Sequence, residues 1–586
     1  MAHVDAIRVN QSLIHQSQLL FGYGQQRRQS PISQATPHDV RSRPILRWLR
    51  TLVFCQLKSK ESKSHIRHVF IKEIFNMKAI GFSNFRKFKD FPILEFGDVT
   101  IFVGGNNAGK STVVKAIVTV LTYLKEAQFD VLGNKSSILD NNFYFNRNPY
   151  AHVGTFKRAL CNEAEEDIIK FYLQIEELCI DIELIGDRND EHAVSAHVNR
   201  LKIKDNRSAI CFDFKFNENI VEIRLHNNIR LFEDNEDFIR RYEDIKSKRS
   251  LNYKRDIRTD FKNRMFYSQY PLVEKDEVYT FSLTDVCDNR MIGGPLISGL
   301  IFNIYSYVES KYEREEGENN VQLYSFYKII PYITRLMRRI DQILRFSPVV
   351  EYLYAHSASQ MVLYNSMDTK DFLVQTIHKF ATMRFPKDSV PYEFVKKWMK
   401  SFGIGTDFEI KSIGGEAHTV EIKETEDKII PLADKGMGSI QIMILLLRLA
   451  IDVYEKNSSR IQRNTPVTIL VEEPEQNLHP KIQSMLMDFF YSVSVQYKIR
   501  FIIETHSEYL VRRSQYVIAN NRYLNQVELD EKCPIKVYYF PENGVPREMK
   551  YSINGRFKTS FDSGFFDESS KASLILSRME REFKKQ

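Results

Sequence analysis

The chain has 586 residues, enough for two or three domains and a sizeable core, and its 43% hydrophobic and 27% charged content is ordinary for a globular protein. Its net charge of +8 is local: residues 1–76 hold 12 Lys/Arg and 4 Asp/Glu, so the other 510 hold 71 of each sign and give no charge argument for nucleic-acid binding. The longest unbroken apolar run, Ile442–Leu447, is far short of the roughly 20 residues of a membrane span, and six scattered cysteines fit reduced cytoplasmic thiols better than a disulfide framework.

Residues 1–76 are rich in Gln, Ser, His and Arg and are expected to be a disordered basic extension, with Met77 as the native start. The other reading is a basic targeting or nucleic-acid arm. From Ile80 to Phe96, alternation and aromatic residues predict two strands joined near Lys89-Asp90. Val99–Val103 reads as a buried strand feeding a glycine-rich loop, and a helix follows from Lys110 with Val113, Ile117, Val120, Leu121 and Leu124 on one face. Alternating runs within 168–225 predict an antiparallel meander. From about 232 to 400 the pattern is mainly helical, clearest at Ile301–Tyr312 and Tyr324–Leu344. Val467–Val471, Arg500–Ile503 and Ile535–Phe540 return to short strands. No internal repeat, low-complexity tract or sustained heptad is present in the sequence.

Residues Gly104-Gly105-Asn106-Asn107-Ala108-Gly109-Lys110-Ser111 match a phosphate-binding loop in the confirming context, strand before and helix after. Backbone N–H groups and the helix N-terminus attract phosphate, and Gly104 and Gly109 permit the close approach. Lys110 is expected on the β- and γ-phosphates, and the Ser111 hydroxyl on magnesium. Thr468–Val471 leads into Glu472, suited to holding magnesium, and Glu473, suited to polarising the attacking water. Pro474, Glu475 and Leu478-His479-Pro480 narrow this match. His506, in Glu504-Thr505-His506-Ser507, sits one helix and one strand after Glu473 and can orient water at the γ-phosphate. Asp434 to Gln441 places Gly436, Gly438, Ser439 and Gln441 before an apolar helix, a second anion site or an ordinary helix cap.

Together these elements resemble the RecF/SMC/OLD-like branch of the ABC-type ATPases, closest to bacterial AAA family ATPases with a Glu-Glu-Pro-Glu-x-x-Leu-His-Pro motif. Gly81-Phe-Ser-Asn-Phe-Arg86 resembles that group's opening strand, Val349–Tyr354 a strand before its signature, and Gly564–Asp567 a late motif. The resemblance covers about 77–200 and 405–567. It implies an α/β P-loop NTPase, an ABC-type head with a mixed central sheet plus an antiparallel β-meander. The halves would be 77–230 and 401–586, around a mainly helical insertion at 231–400.

The implied ligands are ATP and Mg2+, with Arg86 and Thr112 joining the nucleotide-binding residues and Gln128 as a candidate Gln-loop residue. The implied assembly is a head-to-tail homodimer whose signature loop serves the partner's nucleotide. After Glu508 too little chain remains for the TOPRIM nuclease domain of OLD relatives. Lys246, Lys248, Arg249, Lys254, Arg255 and Arg258, with Lys262, Arg264, Tyr253 and Phe261, form a basic, aromatic-bearing stretch. Arg335, Arg338, Arg339 and Arg345 form another. Both read either as a DNA surface or as solvated helix faces. The expected function is ATP hydrolysis coupled to DNA or to a separately encoded nuclease or toxin, in phage defence. A slow regulatory ATPase and a RecF-like repair protein are the rivals.

Overall fold

The computed structural model describes most of residues 77–225, 276–287, 349–353, 361–458, 467–525 and 533–583, with short pieces between. The chain divides into Met1–Lys72 and Glu73–Gln586, and every described residue lies in the second unit. The extension 1–76, Gln128, Gly564 and both basic clusters lie outside the described residues.

Strands β1 (Met77–Phe85) and β2 (Phe88–Glu95) form the opening hairpin. The turn falls at Arg86-Lys87 rather than at Lys89-Asp90, because a register shift between Ile80 and Phe82 and left-handed Asn84 and Arg86 break the alternation early. Strand β3 (Val99–Gly104) is buried throughout and runs into α1 (Lys110–Glu126). Next come β4 (Asn142–Tyr144) and the single-turn α2 (Phe156–Ala159). The meander is β5 (Ile168–Ile175), β6 (Leu178–Ile185), β7 (Ser195–Asp205), β8 (Ile210–Lys215) and β9 (Ile220–Leu225). A further strand, β10 (Glu277–Ser282), leads into α3 (Leu283–Cys287). The resulting antiparallel sheet has the order β10-β9-β8-β7-β6-β5-β1-β2, with β4 on β7.

Beyond it lie β11 (Val349–Leu353), β12 (Tyr364–Asn365), α4 (Phe372–Thr382) and α5 (Val390–Phe402). Strands β13 (Asp407–Ile413), β14 (Ala417–Thr425) and β15 (Lys428–Pro431) form a small sheet with β12. Then follow α6 (Met437–Ser458), β16 (Val467–Glu472), α7 (Pro480–Tyr497) and β17 (Ile499–Thr505). The chain continues through α8 (Glu508–Asn525), β18 (Ile535–Phe540), β19 (Arg547–Glu548) and α9 (Glu568–Phe583).

The central sheet has the order β11-β16-β17-β3-β18-β19, parallel except for β19. It corrects the insertion boundary. Strand β11 falls inside 231–400 yet pairs with β16, β10 completes the meander sheet, and α4 and α5 pack in the same core as α6. Their apolar faces are part of the head, so the inserted region is smaller than 231–400.

Alternation along the central strands separates two cores. Val99, Ile101 and Val103 of β3 face one core, with Ile469, Phe501 and Val537 from its neighbours. Phe102, Leu470, Ile502 and Tyr538 face the other, which holds α1 and the meander. Both faces of the sheet are covered, which is why its strands read as continuous apolar runs. Helix α1 is buried well beyond its predicted stripe, with Val114, Ala116, Val118 and Tyr123 also in the core. The stretch Met437–Lys456 in α6 is long and apolar enough to cross a membrane, with mean hydropathy 1.6. It is a core helix instead, buried against α4, α5 and the central sheet.

Candidate functional site

Strands β3, β16 and β17 end at one edge of the central sheet, where ligands bind in open α/β sheets. The loop after β3 is held on the outside by Lys87, whose Nζ donates to the carbonyls of Asn107 (2.8 Å) and Glu542 (3.0 Å). Two glycines are sterically required there. A Cβ on Gly104 would lie 2.3 Å from the Phe540 carbonyl oxygen, and one on Gly109, at φ 101°, 2.5 Å from the Phe88 ring. Asn106 and Asn107 are exposed at the loop tip, while Thr112 is buried and donates its N–H to the Gly109 carbonyl (3.1 Å).

Lys110 is 3% exposed, and burial lowers its pKa against the pull of Glu504, Glu473, Glu475 and Glu472. Its ammonium donates to the carbonyls of Gly104 (3.1 Å) and Gly105 (2.9 Å) and to His506 Nε2 (3.1 Å). Three acceptors match the three protons of an ammonium. His506 Nε2 accepts, so the ring is neutral with its proton on Nδ1. Burial first, and the Lys110 charge second, lower its pKa.

Glu473 approaches the same ring nitrogen as Lys110, with Oε1 3.6 Å from His506 Nε2, and accepts a hydrogen bond from Gln476. Its φ is 44°, a strained conformation for a residue with a Cβ, and its N–H donates to the Glu504 carbonyl (2.7 Å). Glu475 is buried and fixes the histidine loop by accepting the His506 N–H at 2.6 Å. Burial also raises its pKa.

The Ser111 hydroxyl donates to Glu504 Oε1 at 2.9 Å. Glu504 also lies 3.9 Å from Lys110, and burial pushes its carboxyl up to about 7, with Lys110 and Ser111 opposing. The sequence pattern gave Glu504 no role, because a carboxylate at a strand end before Thr-His looks like a strand meeting solvent. The signal that could have found it was the parallel register of two strands each ending in Glu.

Arg86 is half-buried at φ 52°, its N–H donates to the Ala159 carbonyl (2.7 Å), and its Nη1 is buried without a partner. Burial and then nearby Arg158 lower its pKa. Lys115, one turn beyond Ser111, is depressed by burial and by Arg86, while Glu472 and Glu504 raise it. This cationic side had only Arg86 as a sequence signal.

Among the described residues no three His, Cys, Asp or Glu form a metal cage by themselves. The donor set still fits magnesium held largely by nucleotide phosphates: a serine hydroxyl, Glu472, and a buried, unpartnered Glu504 Oε2. The signature segment is at the start of α6. Gly438 packs on the loop after β16, where a Cβ would lie 2.5 Å from the Asn477 carbonyl oxygen. Lys435 is tied to Glu424 of β14, while Gly436 is exposed with no atom near an added Cβ. Ser439 and Gln441 are half-buried on the first turn.

Solved structures similar to this chain include an Smc head bound to the C-winged helix domain of ScpA, at 11% identity, covering 81% of this chain and 98% of that one, with TM-score 0.30. Another is an Smc head with an extended coiled coil bound to the C-terminal domain of ScpA, from Pyrococcus furiosus (11% identity, 86% and 100% coverage, TM-score 0.30). A third is an Smc head with a coiled coil and joint from Pyrococcus yayanosii (12% identity, 82% and 98% coverage, TM-score 0.31). No curated protein matches the chain. The family profile described as "AAA ATPase domain" matches residues 77–511. That span takes in the phosphate loop, the signature segment, both strand-end carboxylates and His506, and the chain belongs to the AAA ATPase domain family.

Proposed function

We propose that the chain binds ATP with magnesium and hydrolyses it. The observation that carries this reading is the convergence of Lys110, Glu473 and His506 at one sheet edge, from segments more than 300 residues apart. The loop amides, Lys110 and Arg86 hold the phosphates. Ser111 and Glu472 would hold magnesium, which would supply neutralisation of the phosphate charge. Glu473 takes the proton of the attacking water, and neutral His506 orients that water against the γ-phosphate. Phosphate release tests the assignment. Glu473→Gln is expected to lower turnover by about 10²–10⁴-fold while ATP still binds, and unchanged turnover would remove Glu473 from its role.

The exposed Gly436 supports a head-to-tail homodimer in which Gly436, Ser439 and Gln441 reach the partner's nucleotide. Coupling to DNA through Lys246–Arg258, or to a nuclease or toxin in phage defence, rests on the sequence resemblance. The rival reading is a slow, regulatory ATPase whose nucleotide-bound state gates a partner. Turnover measured with and without DNA separates a DNA-stimulated motor from a slow gate.

A further inference from the structure

Glu472 and Glu504 are register partners on the adjacent parallel strands β16 and β17. Partners in parallel strands point to the same side of a sheet, about 4.8 Å apart along the hydrogen-bonding direction. Two residues earlier, Leu470 and Ile502 face the core that holds α1, so both carboxylates face the start of α1. Ser111 sits there and donates to Glu504. Glu504 is 5% exposed, and its Oε2 is buried with no hydrogen-bond partner. A buried carboxylate oxygen without a donor is costly and normally marks a missing ligand or water. The three protons of Lys110 are committed elsewhere, so the neighbouring ammonium does not supply the donor.

We propose that Glu504 is a second magnesium-positioning carboxylate, which with Glu472 holds the water shell of the ion and keeps the Ser111 hydroxyl in place to ligate it. This rests on the ATPase reading above and deepens it. Magnesium retains several waters and is typically bound through one or two carboxylates plus substrate phosphates. A pair of carboxylates on adjacent strands suits that shell.

The test uses the full chain with a non-hydrolysable ATP analogue and Mn2+ as the probe, read by electron paramagnetic resonance. Analogue affinity in EDTA is measured in parallel by fluorescence. Glu504→Gln keeps the shape and an acceptor for Ser111 but removes the charge. The expected result is about 10–100-fold weaker Mn2+ binding, the range for outer-shell partners of a metal, with little change in EDTA. Glu504→Asp is expected to recover part of the loss. Mn2+ affinity equal to wild type in Glu504→Gln overturns the proposal. So does a loss confined to the EDTA measurement, which would make Glu504 a partner of Lys110 alone. A wild-type chain that does not bind the analogue overturns the ATPase reading instead. An unchanged melting temperature in Glu504→Gln confirms that the variant is folded.

Discussion

Gly109 has two reasons to lack a side chain, its φ of 101° and the Phe88 ring 2.5 Å from where a Cβ would stand. Gly109→Ala is therefore expected to abolish nucleotide binding, measured by fluorescence titration, because the loop must shift away from Phe88. His506 carries a pH prediction. Its pKa lies below the ordinary 6.5, so the ring is neutral at pH 7 and gains a proton only on acidification. Phosphate release should fall as the pH drops below 6.5, where a protonated ring can no longer accept a hydrogen bond to orient the water. The phosphate loop and His506 were legible in the sequence because their motifs are local. Glu504 was not, because its meaning comes from lying beside Glu472 and Ser111, which are distant in the chain.

At the scale of elements, α6 joins the signature loop to the core and carries a buried acid. Asp452 accepts from Arg448 at 3.4 Å through Oδ1, and its Oδ2 is buried without a partner. Burial pushes its carboxyl up from 3.8 to about 7. A raised folded-state pKa means that this group's contribution is fully present below pH 3.8 and is lost as pH rises through about 7. Asp452→Asn is expected to raise the melting temperature at pH 8 by about 2 °C or more, and the gain should vanish near pH 4. Thermal melts across that range check it. Most of these elements were readable as apolar runs: β3, β16, β17 and the meander all fall where alternation or burial predicts. The first turn was misplaced because positive φ at Asn84 and Arg86 leaves little trace in a hydrophobic pattern. Strand β11 was grouped with the insertion because only its pairing with β16, over 100 residues on, reveals its sheet.

For the whole molecule, the two glycines at the start of α6 are expected to separate folding from the proposed assembly. Gly438 is locked against Asn477 within its own chain, whereas Gly436 meets nothing. Gly436→Ala should melt like wild type yet lose ATP-dependent dimers and turnover, seen by analytical ultracentrifugation and phosphate release. An ATP-driven dimer unaffected by this substitution would exclude the signature loop from the interface.

The central position of β3 also bears on how the protein is made. Its two sheet neighbours, β17 and β18, are about 400 or more residues downstream. At roughly 5–20 residues per second, a ribosome takes on the order of 20–80 s to deliver the first of them. For that interval the apolar strand Val99–Gly104 has no native edge to pair with. The meander, whose strands join neighbours close in sequence, can form early and cover one side of it. The strand that carries the phosphate loop therefore gains its sheet neighbours only late although it is encoded early, and a nascent chain stalled before residue 499 exposes an unpaired β-strand to aggregation or to chaperones.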